Sequence, residues 1–166
     1  MIQVYTGNGK GKTTAAVGLA LRALGAGRRV YMAQFIKDRD SSEITPLRAA
    51  GADVEQFGHG MILGREVTAE DRAAAARGVV VVRGHMDRKE YDVVVMDEVN
   101  VAVKLGLVGI DLVIDLMKSC ASEAELVITG RDAHPQVLER ADLVTEMREV
   151  KHYFTAGVDA RLGIEY

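Results

Sequence analysis

A chain of 166 residues fits one domain, able to bury roughly two-thirds of the surface its unfolded form exposes. Its hydrophobic content of 48% and formal net charge of −3 exclude a strongly basic nucleic-acid binder and a polybasic membrane-surface protein. The lone Cys120 rules out an internal disulfide, no apolar run reaches the ~20 residues of a membrane helix, and Met1 leads into a strand without a signal-peptide pattern, so a cytoplasmic location is expected.

Short apolar runs alternate with longer amphipathic ones. Ile2 to Tyr5 reads as a strand ending in a glycine-rich turn, and 12–26 as an alanine-rich helix stopped near Gly25 and Gly27. Val30 to Phe35 is a second strand; a polar loop, 36–42, then precedes a short helix over 44–50. A third strand over 53–57 leads into a glycine-bearing loop, 58–67. Thr68 has the form of an N-cap, with Glu70 and Asp71 in the first turn of a helix running to about Lys89. That length outweighs the β-branched run Val79 to Val82. Val93 to Met96 is apolar throughout, as in a strand buried on both faces. A helix over 110–119, a strand over 126–129, a helix over 135–141 and a last strand over 143–150 complete the alternation. The expected fold is one α/β domain, 1–166, with a mostly parallel sheet covered by helices on both faces.

Between the first strand and the first helix stands Thr6-Gly7-Asn8-Gly9-Lys10-Gly11-Lys12-Thr13-Thr14. That is the context and, apart from Thr6 in place of the first glycine, the spacing of a Walker A loop. Glycines let successive N–H groups curl around phosphate oxygens, and the helix N-terminus adds its dipole. Residues Gly7, Asn8, Gly9, Lys10, Gly11, Lys12, Thr13 and Thr14 are the expected ATP-binding set. Lys12 reaches the terminal phosphates and Thr13 offers its hydroxyl to Mg²⁺. The expected fold is therefore a P-loop NTPase (RecA-like) three-layer sandwich. A second motif, Tyr91-Asp92-Val93-Val94-Val95-Met96-Asp97-Glu98, has the form of a Walker B strand. Its carboxylates emerge where open α/β sheets bind ligands, so Asp97 and Glu98 join Thr13 as metal-site candidates.

Other groups carry weaker signals. His59, His85, His134 and His152 have no metal-ligand spacing among themselves and read as surface or packing residues. Arg131 and Lys151-His152 stand out because they follow expected strands. Leu112, Leu116 and Met117 form an apolar stripe expected in the core. There is no Ser-His-Asp pattern, guanine-specificity motif or protein-kinase signature.

Several separated stretches narrow the reading beyond a nucleoside triphosphate. They are 6–16, Gln34-Phe35-Ile36-Lys37, Asp97-Glu98, Val127-Ile128-Thr129-Gly130-Arg131, 141–147, Val150-Lys151-His152, Ala156-Gly157-Val158 and Gly163-Ile164-Glu165-Tyr166. Together, and in this order, the chain resembles the P-loop ATP:corrinoid adenosyltransferases, also called cob(I)yrinic acid a,c-diamide adenosyltransferases. The resemblance is densest at the two ends and thinnest over 38–89.

The resemblance implies transfer of the 5′-deoxyadenosyl group of ATP to Co(I) of a corrinoid, with release of triphosphate. It implies Mg²⁺ or Mn²⁺ as cofactor, Lys12 as the catalytic cation, an electron donor that reduces Co(II), and a homodimer, with neither nucleic acid nor membrane as partner. It also places Met61, Ile62 and Leu63 on the corrinoid side. Some relatives carry aromatic residues in that loop where this sequence is aliphatic, and relatives often have a segment ahead of the first strand, where Met1 stands here. Two other readings stay open at this level: a P-loop phosphotransferase or ATPase, and a nucleotide-binding regulatory protein without corrinoid chemistry.

Overall fold

Among the described residues, six strands run β1 (Ile2–Thr6), β2 (Val30–Phe35), β3 (Asp53–Phe57), β4 (Val93–Asp97), β5 (Glu125–Thr129) and β6 (Leu143–Glu146). Six helices lie between them: α1 (Lys12–Gly25), α2 (Ile44–Ala49), α3 (Ala69–Asp87), α4 (Val99–Lys104), α5 (Ile110–Lys118) and α6 (Pro135–Arg140). A 3₁₀ turn, Tyr153–Ala156, follows β6. The computed structural model describes residues 1–37, 41–60, 62, 65–120 and 123–165.

The sheet order is β3-β2-β4-β5-β1-β6, with every pairing parallel. Parallel neighbours require crossovers, which the helices supply. β1 and β4, the strands that carry the two motifs, do not touch: β5 separates them. The chain leaving β1 therefore crosses over β5 and β4 before it pairs as β2, and α1 makes that crossing in contact with β1, β5, β4 and β2. Such a reversal opens a crevice at the carboxyl ends of the strands.

Side-chain alternation divides the core into two layers. Val30, Met32, Val54, Val93, Val95 and Val127 face α1 and α2. Val4, Tyr31, Phe35, Val94, Met96 and Ile128 face α3 to α6. Helix α1 buries Ala16, Ala20 and Ala23 at helical spacing, so its backbone lies close over the sheet centre. On the other face Gly78 serves the same end: a Cβ there would fall 2.7 Å from the Phe57 ring. Thr68 caps α3 as expected, its hydroxyl accepting from the Asp71 N–H while the Asp71 carboxylate accepts from the Thr68 N–H.

The structure corrects three expectations. The last strand ends at Glu146, not Val150, because the chain turns to cover the glycine-rich loop: Met147 N–H donates to Thr6 O at 2.8 Å, and Met147 O accepts from Gly9 N–H at 2.7 Å. Residues 99–104, unassigned from sequence, form α4. Leu116 and Met117 are buried, whereas Leu112 faces solvent at 48% exposure.

Candidate active site at the carboxyl end of the sheet

The loop from Gly7 to Gly11 joins β1 to α1, and its shape requires glycine. Gly7 has φ +95°, and a Cβ on it would fall 2.5 Å from Met147 O; on Gly9 the same atom would fall 2.7 Å from that oxygen. Thr6 tolerates a side chain because it is still strand, its carbonyl pairing with Met147 and its hydroxyl accepting from Ala133 N–H at 3.4 Å. The amides of Lys12, Thr13 and Thr14 form the first turn of α1, where no carbonyl lies one helical turn behind them. The Lys12 ammonium is buried and donates to Gly7 O and Gly9 O, both at 2.8 Å. Burial pulls its pKa below the usual lysine value; Arg131 adds to this, and Glu98 and Asp97 oppose it.

Asp97 closes β4 at 0% exposure, and both of its oxygens are occupied. Oδ1 accepts from Thr13 Oγ1 at 2.8 Å and Thr129 Oγ1 at 2.7 Å. Oδ2 accepts from Gln34 Nε2 at 3.3 Å and Lys37 Nζ at 3.2 Å. Four segments thus converge on the carboxylate that ends β4: the first turn of α1, the ends of β2 and β5, and the turn after β2. A buried charge needs this degree of pairing. Thr129 has a second task, since its hydroxyl also accepts from Glu98 N–H at 3.0 Å.

Glu98 stands at the junction of β4 and α4 with φ +62°, a left-handed conformation costing roughly 1–2 kcal/mol for a residue with a side chain. Burial pushes its carboxyl pKa above the usual range, and the charge of Asp97 pushes it further; Lys37, Lys12 and Arg131 pull the other way. Lys37 is shared between Asp97 and Glu43, each at 3.2 Å. Burial lowers its pKa, but the two carboxylates outweigh burial and leave the ammonium above the ordinary value.

The structure brings together Lys12, Thr13, Asp97 and Glu98 of the sequence-derived candidates. It adds Gln34, Lys37, Glu43 and Thr129, and electrostatic interaction places Arg131 near both Lys12 and Glu98. Gln34, Lys37 and Thr129 all lie in stretches that carry the family resemblance, although nothing local marks them as site residues. Lys10 points away from this cluster: it donates to Ile164 O and lies 3.7 Å from the Glu165 carboxylate, which ties the C-terminal tail to the loop. Ile62 packs against the larger core layer, while Met61 and Leu63 lie outside the described residues. Among the described residues no three His, Cys, Asp or Glu side chains form a metal-holding group. His134 and His152 cap short helical turns, and His85 packs against Tyr31 and, edge-on, against Tyr91.

A buried loop lysine, a first-turn threonine bonded to a strand-end aspartate, and an intervening strand between the two motifs are the arrangement of a P-loop fold. The model of the ATP:corrinoid adenosyltransferase BtuR/CobO/CobP family matches residues 1–166. The chain belongs to that family. It is 36% identical over 167 residues to a corrinoid adenosyltransferase of Escherichia coli strain K12, covering 100% of this chain and 85% of the relative. Identity to the corrinoid adenosyltransferase CobA of Salmonella typhimurium is 37% over 171 residues, again with 100% and 85% covered. A Pseudomonas aeruginosa corrinoid adenosyltransferase is 36% identical over 169 residues, with 100% and 83% covered. The enzyme is thus an ATP:corrinoid adenosyltransferase, and no helix among the described residues is long and apolar enough to cross a membrane.

Proposed function

We propose that this site binds ATP along the Gly7–Thr14 loop and presents the ribose C5′ to Co(I) of a corrinoid, releasing triphosphate. The observation that carries the reading is the cluster around Asp97: buried Lys12 and half-buried Lys37, with Arg131 nearby, face a reaction that needs cations but no base. Co(I) is a nucleophile that holds no proton. Its electron pair forms the Co–C5′ bond while the C5′–O bond breaks, and the departing triphosphate takes that bonding pair. Developing negative charge on the leaving group must then be met by preorganised donors. Lys12 can supply this by exchanging its two carbonyl partners for phosphate oxygens. Gly11 and the first-turn amides of α1 aim N–H groups at the same place.

A hard divalent cation fits the donor set. Thr13 gives its hydroxyl proton to Asp97, which leaves its lone pairs for a metal, and Glu98 adds an anionic oxygen on the same strand end. Mg²⁺ or Mn²⁺ bound there would neutralise phosphate charge. Only a few protein oxygens are involved, as suits a cation that takes its remaining ligands from phosphate and water.

The corrinoid is placed against the loop 57–64, with Met61, Ile62 and Leu63 as its apolar contacts, supported by the loop's position beyond β3. Ile62 divides its surface between that role and the core. An electron donor that delivers Co(I), a cytoplasmic location and a homodimer complete the proposal. The homodimer is supported by β6, an edge strand whose four residues are all exposed.

Anaerobic incubation with ATP and chemically reduced cob(I)alamin, followed by identification of both products, tests the reading. Adenosylcobalamin and intact triphosphate in equal amounts are expected. ADP with phosphate, or no corrinoid-dependent turnover, would contradict it.

A further inference from the structure

The metal-facing oxygen of Asp97 already carries a cation of the protein's own. Oδ1 is held by two hydroxyl donors, and Oδ2 by Gln34 Nε2 at 3.3 Å and Lys37 Nζ at 3.2 Å; Lys37 is the one charged donor of the four, so a metal approaching Asp97 at Oδ2 meets its ammonium. We propose that Lys37 is a positioning residue that keeps Asp97 closed to a divalent cation until nucleotide arrives, so that the metal enters as its ATP complex and not ahead of it. This inference rests on the reading above that Thr13, Asp97 and Glu98 hold the cation.

Three observations carry it. Lys37 is fixed from two sides, by Asp97 and by Glu43 Oε1 at 3.2 Å. Gln34 repeats the bridge, its amide donating to Glu43 Oε1 at 2.9 Å and to Asp97 Oδ2 at 3.3 Å, while Gln56 donates to its oxygen at 3.2 Å. The ammonium therefore sits in a constructed seat.

The second observation is backbone strain. Ile36, immediately before Lys37, is buried and adopts φ +71°, a rare conformation for a β-branched residue. That turn is possible because Gly58 crosses it: a Cβ on Gly58 would fall 2.3 Å from the Ile36 carbonyl carbon. Strain of this kind persists where surrounding structure over-determines it, and it accumulates at functional sites.

The third is charge. Asp97, Glu98 and Glu43 face Lys12 and Lys37, with Arg131 close enough to act on Glu98 and Lys12. A lone divalent cation meets these positive groups with little negative charge left uncompensated. The triphosphate brings its own anionic charge and removes that barrier. Lys37 can then turn towards Glu43, its second partner, and leave Oδ2 to the cation.

The test is Mn²⁺ binding to the nucleotide-free protein, followed by electron paramagnetic resonance. Lys37→Met is expected to bind Mn²⁺ at least tenfold more tightly than wild type. Lys37→Arg, which keeps the charge, should stay as weak as wild type. Adding Asp97→Asn to Lys37→Met should erase the gain. Lys37→Gln, which retains a donor towards Glu43, gives the same comparison if Lys37→Met fails to fold. A folded Lys37→Met or Lys37→Gln protein with wild-type Mn²⁺ affinity overturns the role of Lys37. The same titration with ATP present separates the two readings. Wild type that takes up no Mn²⁺ beyond that held by free ATP overturns the cation site and Lys37's role together. Uptake with ATP, but no gain in the variants without it, overturns Lys37's role alone.

Discussion

Charged groups gather at both ends of the sheet, and the two ends treat them differently. At the amino end, Asp92 accepts from Arg29 N–H at 2.9 Å and from the Arg29 guanidinium at 3.0 Å. Tyr91 O–H donates to Asp53 at 2.8 Å, and the rings of Tyr31, His85 and Tyr91 lie within 5.2 Å of one another. The Arg29 guanidinium holds Asp92 down at about 2, and Arg88, then His85, holds Glu90 at about 2. Asp92 and Glu90 are thus more firmly ionised than in water. At the carboxyl end burial pushes Glu98 up and Lys12 down, so both are held against their charged forms. One end is settled by its own partners; the other retains unfavourable charge that a ligand of complementary charge would relieve. Natural sites give up stability in this way when function requires it.

Removing Lys12 should break the contrast most severely. Lys12→Ala is expected to lower turnover by about 10³-fold through loss of a preorganised contact to the leaving group, while the fold survives. Steady-state kinetics with a melting curve checks this; near-wild-type turnover would remove Lys12 from its assigned place. Thr129→Val comes next. It leaves Asp97 Oδ1 short of a donor and the Glu98 amide without its acceptor, at a cost of about 1–3 kcal/mol. Chemical denaturation measures that loss directly, and an unchanged midpoint would show that Thr129 does not organise the pair.

Glu98→Gln should separate stability from activity. A carboxyl whose folded pKa is raised loses relative stability as pH climbs above its unfolded value of 4.5. The variant should therefore melt above wild type at pH 7 without ligand, and the difference should vanish as pH falls towards 4.5. Its metal-dependent turnover should fall more than its metal-free ATP binding. Asp92→Asn is the mirror case and the mildest. Asp92 is held below its ordinary value of 3.8, so its contribution is present above that pH and fades as pH falls towards about 2. The variant should melt slightly lower at pH 7, converge with wild type in strong acid, and keep full turnover.

What the sequence could disclose follows from how local each feature is. The loop 6–14 was legible because its chemistry is one continuous stretch of backbone, and Val93 to Met96 because burial on both faces leaves an unbroken apolar run. Gln34, Lys37 and Thr129 reach Asp97 from other strand ends, and only the sheet order makes them neighbours. Helix α4 escaped notice for a local reason: Val99, Val101 and Val103 alternate as a strand would, and the helix begins from Glu98 in a left-handed turn without a side-chain cap. The shortened β6 reflects Met147 folding onto Gly7 and Gly9, a contact between residues about 140 positions apart that no periodicity announces.

The claim that the carboxyl end holds unfavourable charge for MgATP is most directly tested by thermal denaturation with and without MgATP, in wild type and Lys12→Ala. At about 100 times the dissociation constant, binding to the native state adds about 2.7 kcal/mol, or about 5–10 °C for a chain of this size. The account predicts that shift in wild type and little or none in Lys12→Ala. Equal shifts in both proteins would contradict it.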